Sequence, residues 1–163
     1  MKKLLNLFFL CFFLILPSNL FADSALSDDC LVELKVMRGN GRRKAKIRPS
    51  FAKEIKRKDV RRQLETLPYA NYRMLSLKKK RTRIGTETEF RVNDVEGKEH
   101  SIRVQPLSVN PNRSVNVKLN WHGPSGRNYV STRMRVARDK CMTIGTDGKK
   151  NNSTIISIRS DCE

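Results

Sequence analysis

The sequence predicts a mainly β protein, a single sandwich-like or small-barrel domain of seven to eight strands with one helical insertion after the first strand. Three observations carry this expectation. Short segments alternate apolar and polar residues, the signature of half-buried strands. Gly, Asn, Asp and Pro clusters punctuate them at regular intervals. Helical spacing of apolar residues occurs in one place, between Phe51 and Leu67.

The chain opens with Lys2 and Lys3 and an apolar run from Leu4 to Leu16 interrupted only by Asn6, followed by Pro17-Ser18 and Leu20-Phe21-Ala22. This is the layout of a secretory signal peptide over residues 1–22. A permanent membrane span needs roughly 20 apolar residues, so residues 23–163 are expected to form one basic, β-rich domain with no transmembrane span. The expected location is outside the cytoplasm, periplasmic or extracellular. Cys30 follows Ser27-Asp28-Asp29, without the small apolar residues that precede a lipid-modified cysteine.

The elements follow in order. Cys30, Val32, Leu34 and Val36 alternate with polar neighbours and define the first strand, with Gly39-Asn40-Gly41 as its turn. Arg42 to Arg48 reads as a basic loop. Pro49-Ser50 suggests a helix start with Ser50 as N-cap. Phe51/Ile55 and Val60/Leu64 are each four apart, with Leu67 three further on, which fits one kinked helix or two short ones with an apolar, core-facing stripe. Pro68 ends it. Tyr72 to Leu77 is the next strand, with Lys78-Lys79-Lys80-Arg81 at its end or at a hairpin tip and Gly85 as a break.

Thr88, Phe90 and Val92 alternate with Glu89 and Arg91, and Asp94-Val95-Glu96-Gly97 turns the chain into His100, Ile102 and Val104. Val115, Val117, Leu119 and Trp121 make the most regular strand, which puts Trp121 in the core. Val130, Thr132, Met134 and Val136 form the next. Cys141 to Thr146 and Ser153 to Arg159 close the chain as a hairpin across Asp147-Gly148.

Cys11 lies in the leader, leaving Cys30, Cys141 and Cys162. Three thiols in an oxidising compartment suggest one disulfide and one free thiol. Cys30 shares parity with Val32, Leu34 and Val36, and Cys162 with Ile156 and Ile158, so both point toward the core. Cys141 falls opposite the face marked by Met142 and Ile144. A Cys30–Cys162 disulfide is expected, with Cys141–Cys162 as the alternative if the last strand bulges or ends early.

Charge is the strongest functional cue. The formal net charge is +18, which attracts polyanions and also serves plain solubility. From Lys35 to Arg62 there are thirteen Lys or Arg against two acids, Glu54 and Asp59. Like charges one helical turn apart repel, and an anionic ligand relieves that repulsion. Arg42, Arg43, Lys44, Lys46, Lys56, Arg57, Arg61 and Arg62 are therefore the candidate polyanion contacts, set against the plainer alternative of a solvated surface. The Lys78–Arg81 run fits either binding or protection of a sheet edge. Arg91, Arg103, Lys118, Arg133 and Arg135 share the polar phase of their strands and form a basic face if those strands share a sheet, partly neutralised by Glu87 and Glu89. That face lacks the exposed aromatics of a single-strand nucleic-acid platform, so sequence-specific nucleic-acid recognition is not expected. Contact with phosphate or sulfate backbones needs only positive charge.

No Gly-x-Ser-x-Gly is present, and Cys141 has no evident histidine partner in sequence. His100 shares the phase of Ile102 and Val104 and reads as a satisfied core histidine, while His122 reads as a strand-end residue. With no Cys-x-x-Cys and no histidine cluster, neither metal nor cofactor is expected. Asn112-Arg113-Ser114 and Asn152-Ser153-Thr154 match glycosylation acceptors, a short motif met easily by chance. The expected function is a non-enzymatic binding module whose basic surface contacts an anionic partner: a cell-envelope polymer, a lipid head group or a nucleic-acid backbone. The alternative is a structural or assembly protein of the envelope that binds another protein through a sheet edge or a groove beside the helix.

The segment Leu64-Glu65-Thr66-Leu67-Pro68-Tyr69-Ala70-Asn71-Tyr72-Arg73-Met74-Leu75, after a basic helix and before alternating strands, resembles small exported bacterial β-rich proteins of unknown function. An Ile-rich closing strand like Thr154 to Ile158 completes the resemblance. It implies an exported β-domain and transfers no functional residue.

Overall fold

The computed structural model describes residues 29–44, 47–146 and 152–162. Among them are nine strands and one helix: β1 (Asp29–Arg42), β2 (Ser50–Phe51), α1 (Lys58–Leu64), β3 (Tyr69–Arg83), β4 (Thr88–Asn93), β5 (Glu99–Val109), β6 (Val115–His122), β7 (Asn128–Val136), β8 (Met142–Gly145) and β9 (Asn152–Cys162). They form two sheets, one of five strands in the order β2-β3-β1-β9-β8 and one of four in the order β4-β5-β6-β7. The sheets do not close into a barrel.

The alternating residues explain how the layers meet. Val32, Leu34 and Val36 of β1 and Ile156 and Ile158 of β9 share one buried cluster with Phe90, Ile102, Val104, Val117, Leu119 and Trp121 of the second sheet. β6 alternates buried and half-buried residues along its whole length, as expected of a strand with one face on a core. The other face of the five-stranded sheet carries a second cluster. Met37, Tyr72, Ile155 and Cys141 pack there against Ile55, Val60 and Leu64. From Ser153 to Ile158 every residue of β9 is buried, because this strand has cover on both faces.

Several elements differ from the sequence expectation. β1 does not end at Gly39-Asn40-Gly41 but continues to Arg42, opposite Tyr69. Gly39 is there for space: a Cβ on it would come within 2.7 Å of the Tyr69 ring. Ser50 is not a helix cap. Ser50 and Phe51 pair in parallel with Asn71 and Tyr72 of β3, and the Ala52 amide donates to the Tyr72 carbonyl at 2.9 Å. These sheet hydrogen bonds replace the first turns of the expected helix, which spans Lys58–Leu64 alone. The apolar stripe still reaches one cluster, with Phe51 and Leu67 packed at the margin of Ile55, Val60 and Leu64. The helix follows the first long strand with the short β2 between them.

The third difference is length. β3 extends to Arg83, so the Lys78–Arg81 run lies inside a strand, paired with Leu31 to Leu34 of β1. The Asp147-Gly148 turn lies outside the described residues, as do residues 1–22. Cys30 and Cys162 face each other in register on β1 and β9 and are joined by a disulfide, while Cys141 is free and buried. Cys141 lies in the second cluster, with Met142 and Ile144 opposite Ile158 and Ile156 of the first. Parity therefore paired Cys30 with Cys162 and set Cys141 apart, although Met142, expected on the core face, is exposed on the edge strand β8.

Candidate functional site: a basic cleft beside the helix

The excursion between β1 and β3 is closed at its base. The Arg43 amide donates to the Pro68 carbonyl at 2.8 Å, and the Ile47 amide turns back to the Lys44 carbonyl at 3.0 Å. α1 lies across this excursion with Val60 and Leu64 buried. Lys58, Arg61, Arg62 and Glu65 recur at helical spacing and bring their side chains to another face. That face together with Arg43, Ile47, Arg48 and Pro49 borders a cleft of about 720 Å³, lined among the described residues by five cations, Arg43, Arg48, Lys58, Arg61 and Arg62. Glu65 is its one carboxylate, and Ile47, 58 % exposed, is at its rim.

Arg61 is held in place. Its Nε donates to the Ile55 carbonyl at 2.6 Å, and its guanidinium sits 5.5 Å from the centre of the Phe51 ring. Phe51 in turn stacks on Tyr72 at 5.5 Å. Tyr72 donates its hydroxyl to the Leu64 carbonyl at 2.7 Å, and burial pushes that phenol up to about 12. A cation stacked on an aromatic ring and anchored through one donor has few orientations left to lose on binding. None of the five cleft cations forms an ion pair among the described residues.

Of the eight sequence candidates, Arg43, Arg61 and Arg62 line this cleft. Arg42, Lys44 and Lys56 are exposed outside its lining, and Lys46 lies outside the described residues. Arg57 has another task. Its guanidinium grips Asp59 at 3.0 and 3.1 Å and also reaches the Asp139 carbonyl, while Asp59 accepts the Cys141 amide at 2.9 Å. Burial opposes ionisation of Asp59, but the hydrogen bonds from Arg57 and the Cys141 amide outweigh it and hold the carboxyl below its usual range. Arg57 thus staples the start of α1 to the segment before β8. Arg48 and Lys58 belong to the cleft but not to the eight candidates. The three- and four-residue spacing of Lys58, Arg61 and Arg62 was the available signal for Lys58. For Arg48 the signal was its place at the end of the basic loop Arg42 to Arg48.

Part of the remaining charge has structural partners. Lys78 and Lys80 donate to the carbonyls of Arg91 and Glu89 on β4, an edge strand of the second sheet. Lys79 and Lys35 both pair with the buried Glu33, at 3.2 and 2.7 Å. This part of the lysine run occupies edge acceptors and a buried acid. The expected basic face exists as a row on the second sheet, where Lys118 lies opposite Arg133 and Asn116 opposite Arg135. Arg103 is 3.8 Å from both Glu87 and Glu89, so the acids neutralise one end of it.

His100 is engaged at both ring nitrogens. Trp121 Nε1 donates to Nδ1 at 3.0 Å, and Nε2 lies 3.0 Å from Asp94 Oδ2. The first contact makes Nδ1 an acceptor, so Nε2 carries the proton and donates to the carboxylate. Asp94 Oδ1 also accepts the amides of Glu96 and Lys98 at 2.8 and 2.9 Å. The chain Asp94–His100–Trp121 therefore ties the β4–β5 turn to β6.

Burial opposes the charge on Asp94, but hydrogen bonds from His100, Lys98 and Glu96 outweigh it and keep the carboxyl below its usual range. A carboxyl lowered by folding contributes fully above about pH 4 and loses that contribution as pH falls through the folded value. Glu33 and Asp59 are lowered as well and act in the same direction. Through these three carboxyls, thermal unfolding followed from pH 7 to pH 2 is expected to show stability falling on the acid side of about pH 4. Asp94→Asn is expected to flatten that fall and to cost about 1–3 kcal/mol at pH 7. An unchanged acid slope in Asp94→Asn would remove this chain from the account.

The glycosylation motifs are tied into the fold through their hydroxyl residues, although Asn112 itself is exposed. Ser114 is buried and its hydroxyl donates to Asn112 Oδ1 at 2.7 Å. Ser153 and Thr154 are buried, and Asn152 Oδ1 accepts from Arg38 at 2.9 Å. Among the described residues no helix is long and apolar enough to cross a membrane, and no group of three or more His, Cys, Asp or Glu side chains could hold a metal ion. No protein-family model, curated protein or solved structure matches the chain.

Proposed function

We propose that this protein is an exported, non-enzymatic binding module, sandwich-like in build, that uses the cleft beside α1 to hold an anionic partner. The observation that carries this reading is the grouping of five cations, Arg43 and Arg48 from the segment after β1 and Lys58, Arg61 and Arg62 from α1, on one concave surface with a single carboxylate among the described residues. Confining like charges in a cleft is unfavourable unless counter-charge enters it. The partner class is a polymer or surface bearing phosphate, sulfate or carboxylate groups. The leader-like residues 1–22 support an encounter in the periplasm or outside the cell. Residues such as Arg42, Lys44 and Lys56 add long-range attraction at the margin.

A second reading is a protein-binding assembly component of the envelope. It draws on Leu75 and Leu77, 42 % and 50 % exposed on β3, beyond the two residues that β2 pairs with. Salt separates the two. Phosphate-type contacts weaken steeply as salt rises, whereas an apolar interface persists.

Heparin chromatography tests the cleft against charge alone. The triple variant Arg43→Ala, Arg48→Ala, Arg62→Ala is expected to elute at lower salt than Arg73→Ala, Arg133→Ala, Arg135→Ala. Both lose three positive charges, the second set from exposed positions on β3 and β7. Equal elution of the two variants would mean that the cleft is only part of a diffuse basic surface.

A further inference from the structure

We propose that the cleft is a discrete site for a phosphate group with a free, doubly charged terminus, as in a phosphomonoester. This rests on the anion-binding reading and deepens it. Four of the five cations are arginines, Arg43, Arg48, Arg61 and Arg62, with Lys58 as the fifth. A guanidinium presents its donors as a planar fork that matches two phosphate oxygens at once. A phosphodiester exposes two charged oxygens shared by one negative charge, whereas a terminal phosphate exposes three and approaches two charges at neutral pH. The convergence of several forks on one space fits the terminal group better than a diester linkage.

Preorganisation points the same way. Arg61 uses Nε on the Ile55 carbonyl and its face on Phe51, and among the described residues its terminal nitrogens make no further hydrogen bond. A diffuse electrostatic surface needs no such anchoring. Glu65, one helical turn beyond Arg61 and Arg62, repels an anion from its end of the cleft and confines the phosphate between Lys58, Arg61 and the loop arginines. The cleft of about 720 Å³ exceeds one oxyanion and has room for part of the molecule that carries it. Ile47, exposed at the rim, offers that molecule an apolar contact. The same terminal phosphate occurs on lipid head groups and on soluble phosphate esters.

The test is titration of the disulfide-intact protein with inorganic phosphate at constant ionic strength set by chloride, followed by backbone amide NMR. Saturable shifts confined to the cleft are expected. Arg62→Ala and Arg48→Ala are each expected to weaken binding about tenfold, with Arg133→Ala unchanged. Vesicles containing phosphatidic acid, compared with vesicles of equal surface charge containing phosphatidylglycerol, identify the source. Preference for phosphatidic acid that Ile47→Ser abolishes assigns the site to a lipid head group. Phosphate binding without that preference assigns it to a soluble ester. Phosphate that binds no more tightly than chloride, or equally in wild type and Arg62→Ala, overturns the discrete site. If the cleft variant still elutes early from heparin in that case, the broader anion-binding function stands; if it does not, both fall.

Discussion

Trp121→Ala is expected to lower the unfolding free energy by about 3–5 kcal/mol, the range for removing a large aromatic from a packed core. Trp121 is the largest fully buried side chain of the protein. It lies between Ile102 of β5 and Val130 of β7 in the second sheet and belongs to the cluster that joins the two sheets. Its indole N–H also donates to His100, so alanine leaves a buried acceptor without a donor as well as a cavity. Trp121→Phe separates the two effects, because it keeps most of the ring and loses the donor. Denaturant unfolding followed by far-UV circular dichroism measures both variants. Since Trp121 is the one tryptophan of the chain, wild-type fluorescence must also report a buried indole; emission typical of water-exposed tryptophan would contradict the packing.

Loss of the Cys30–Cys162 disulfide is expected to cost up to about 5 kcal/mol, the chain-entropy value for a loop of this length. The two cysteines are 132 residues apart and close almost the whole described chain into one loop. The β1–β9 ladder that runs inward from them, from Cys30↔Cys162 to Asn40↔Asn152, holds the ends together in the folded state. The cross-link therefore acts chiefly by restricting the unfolded chain. The Cys30→Ala/Cys162→Ala variant is expected to unfold at lower denaturant, while Cys141→Ala loses only a small buried group. Non-reducing peptide mapping gives the covalent answer. A linked peptide containing Cys141 would contradict the assignment.

The second sheet was legible in the sequence because it has a core on one side only. Alternation from Val115 to Trp121 and from Phe90 to Val92 maps directly onto buried positions. The five-stranded sheet hid more, since layers cover it from both sides. Met37 and Val36 are neighbours that serve different clusters, and Gly39 reads as a turn when it is making room for Tyr69. The second half of β3 has no apolar alternation at all from Lys78 to Arg83. It is a strand because β1 pairs with it along that length, a non-local cause that a local pattern does not contain.

The cleft was half legible for the same reason. Charge density pointed to Arg43, Arg61 and Arg62, but local charge density did not distinguish them from Arg57. Arg57 pairs with Asp59 two residues on, and that pair is tied to the Asp139 carbonyl and the Cys141 amide, each 82 residues from its partner. Arg48 joins the cleft through the fold of its loop, whose base is closed by the hydrogen bond between Arg43 and Pro68. Cysteine parity succeeded because it depends only on the two-residue period of strands, which survives whatever else the chain does.

Equilibrium binding to duplex DNA across a range of salt concentrations, with the DNA serving as a generic polyanion, tests the cleft most directly. The slope of log K against log salt counts phosphate contacts, at about 0.9 per contact. The Arg43→Ala, Arg48→Ala, Arg62→Ala variant is expected to have a slope shallower than wild type by about 1, the one phosphate the cleft holds, with Arg73→Ala, Arg133→Ala, Arg135→Ala close to wild type. Equal slopes in the two triple variants would contradict the cleft as the place where the anion binds.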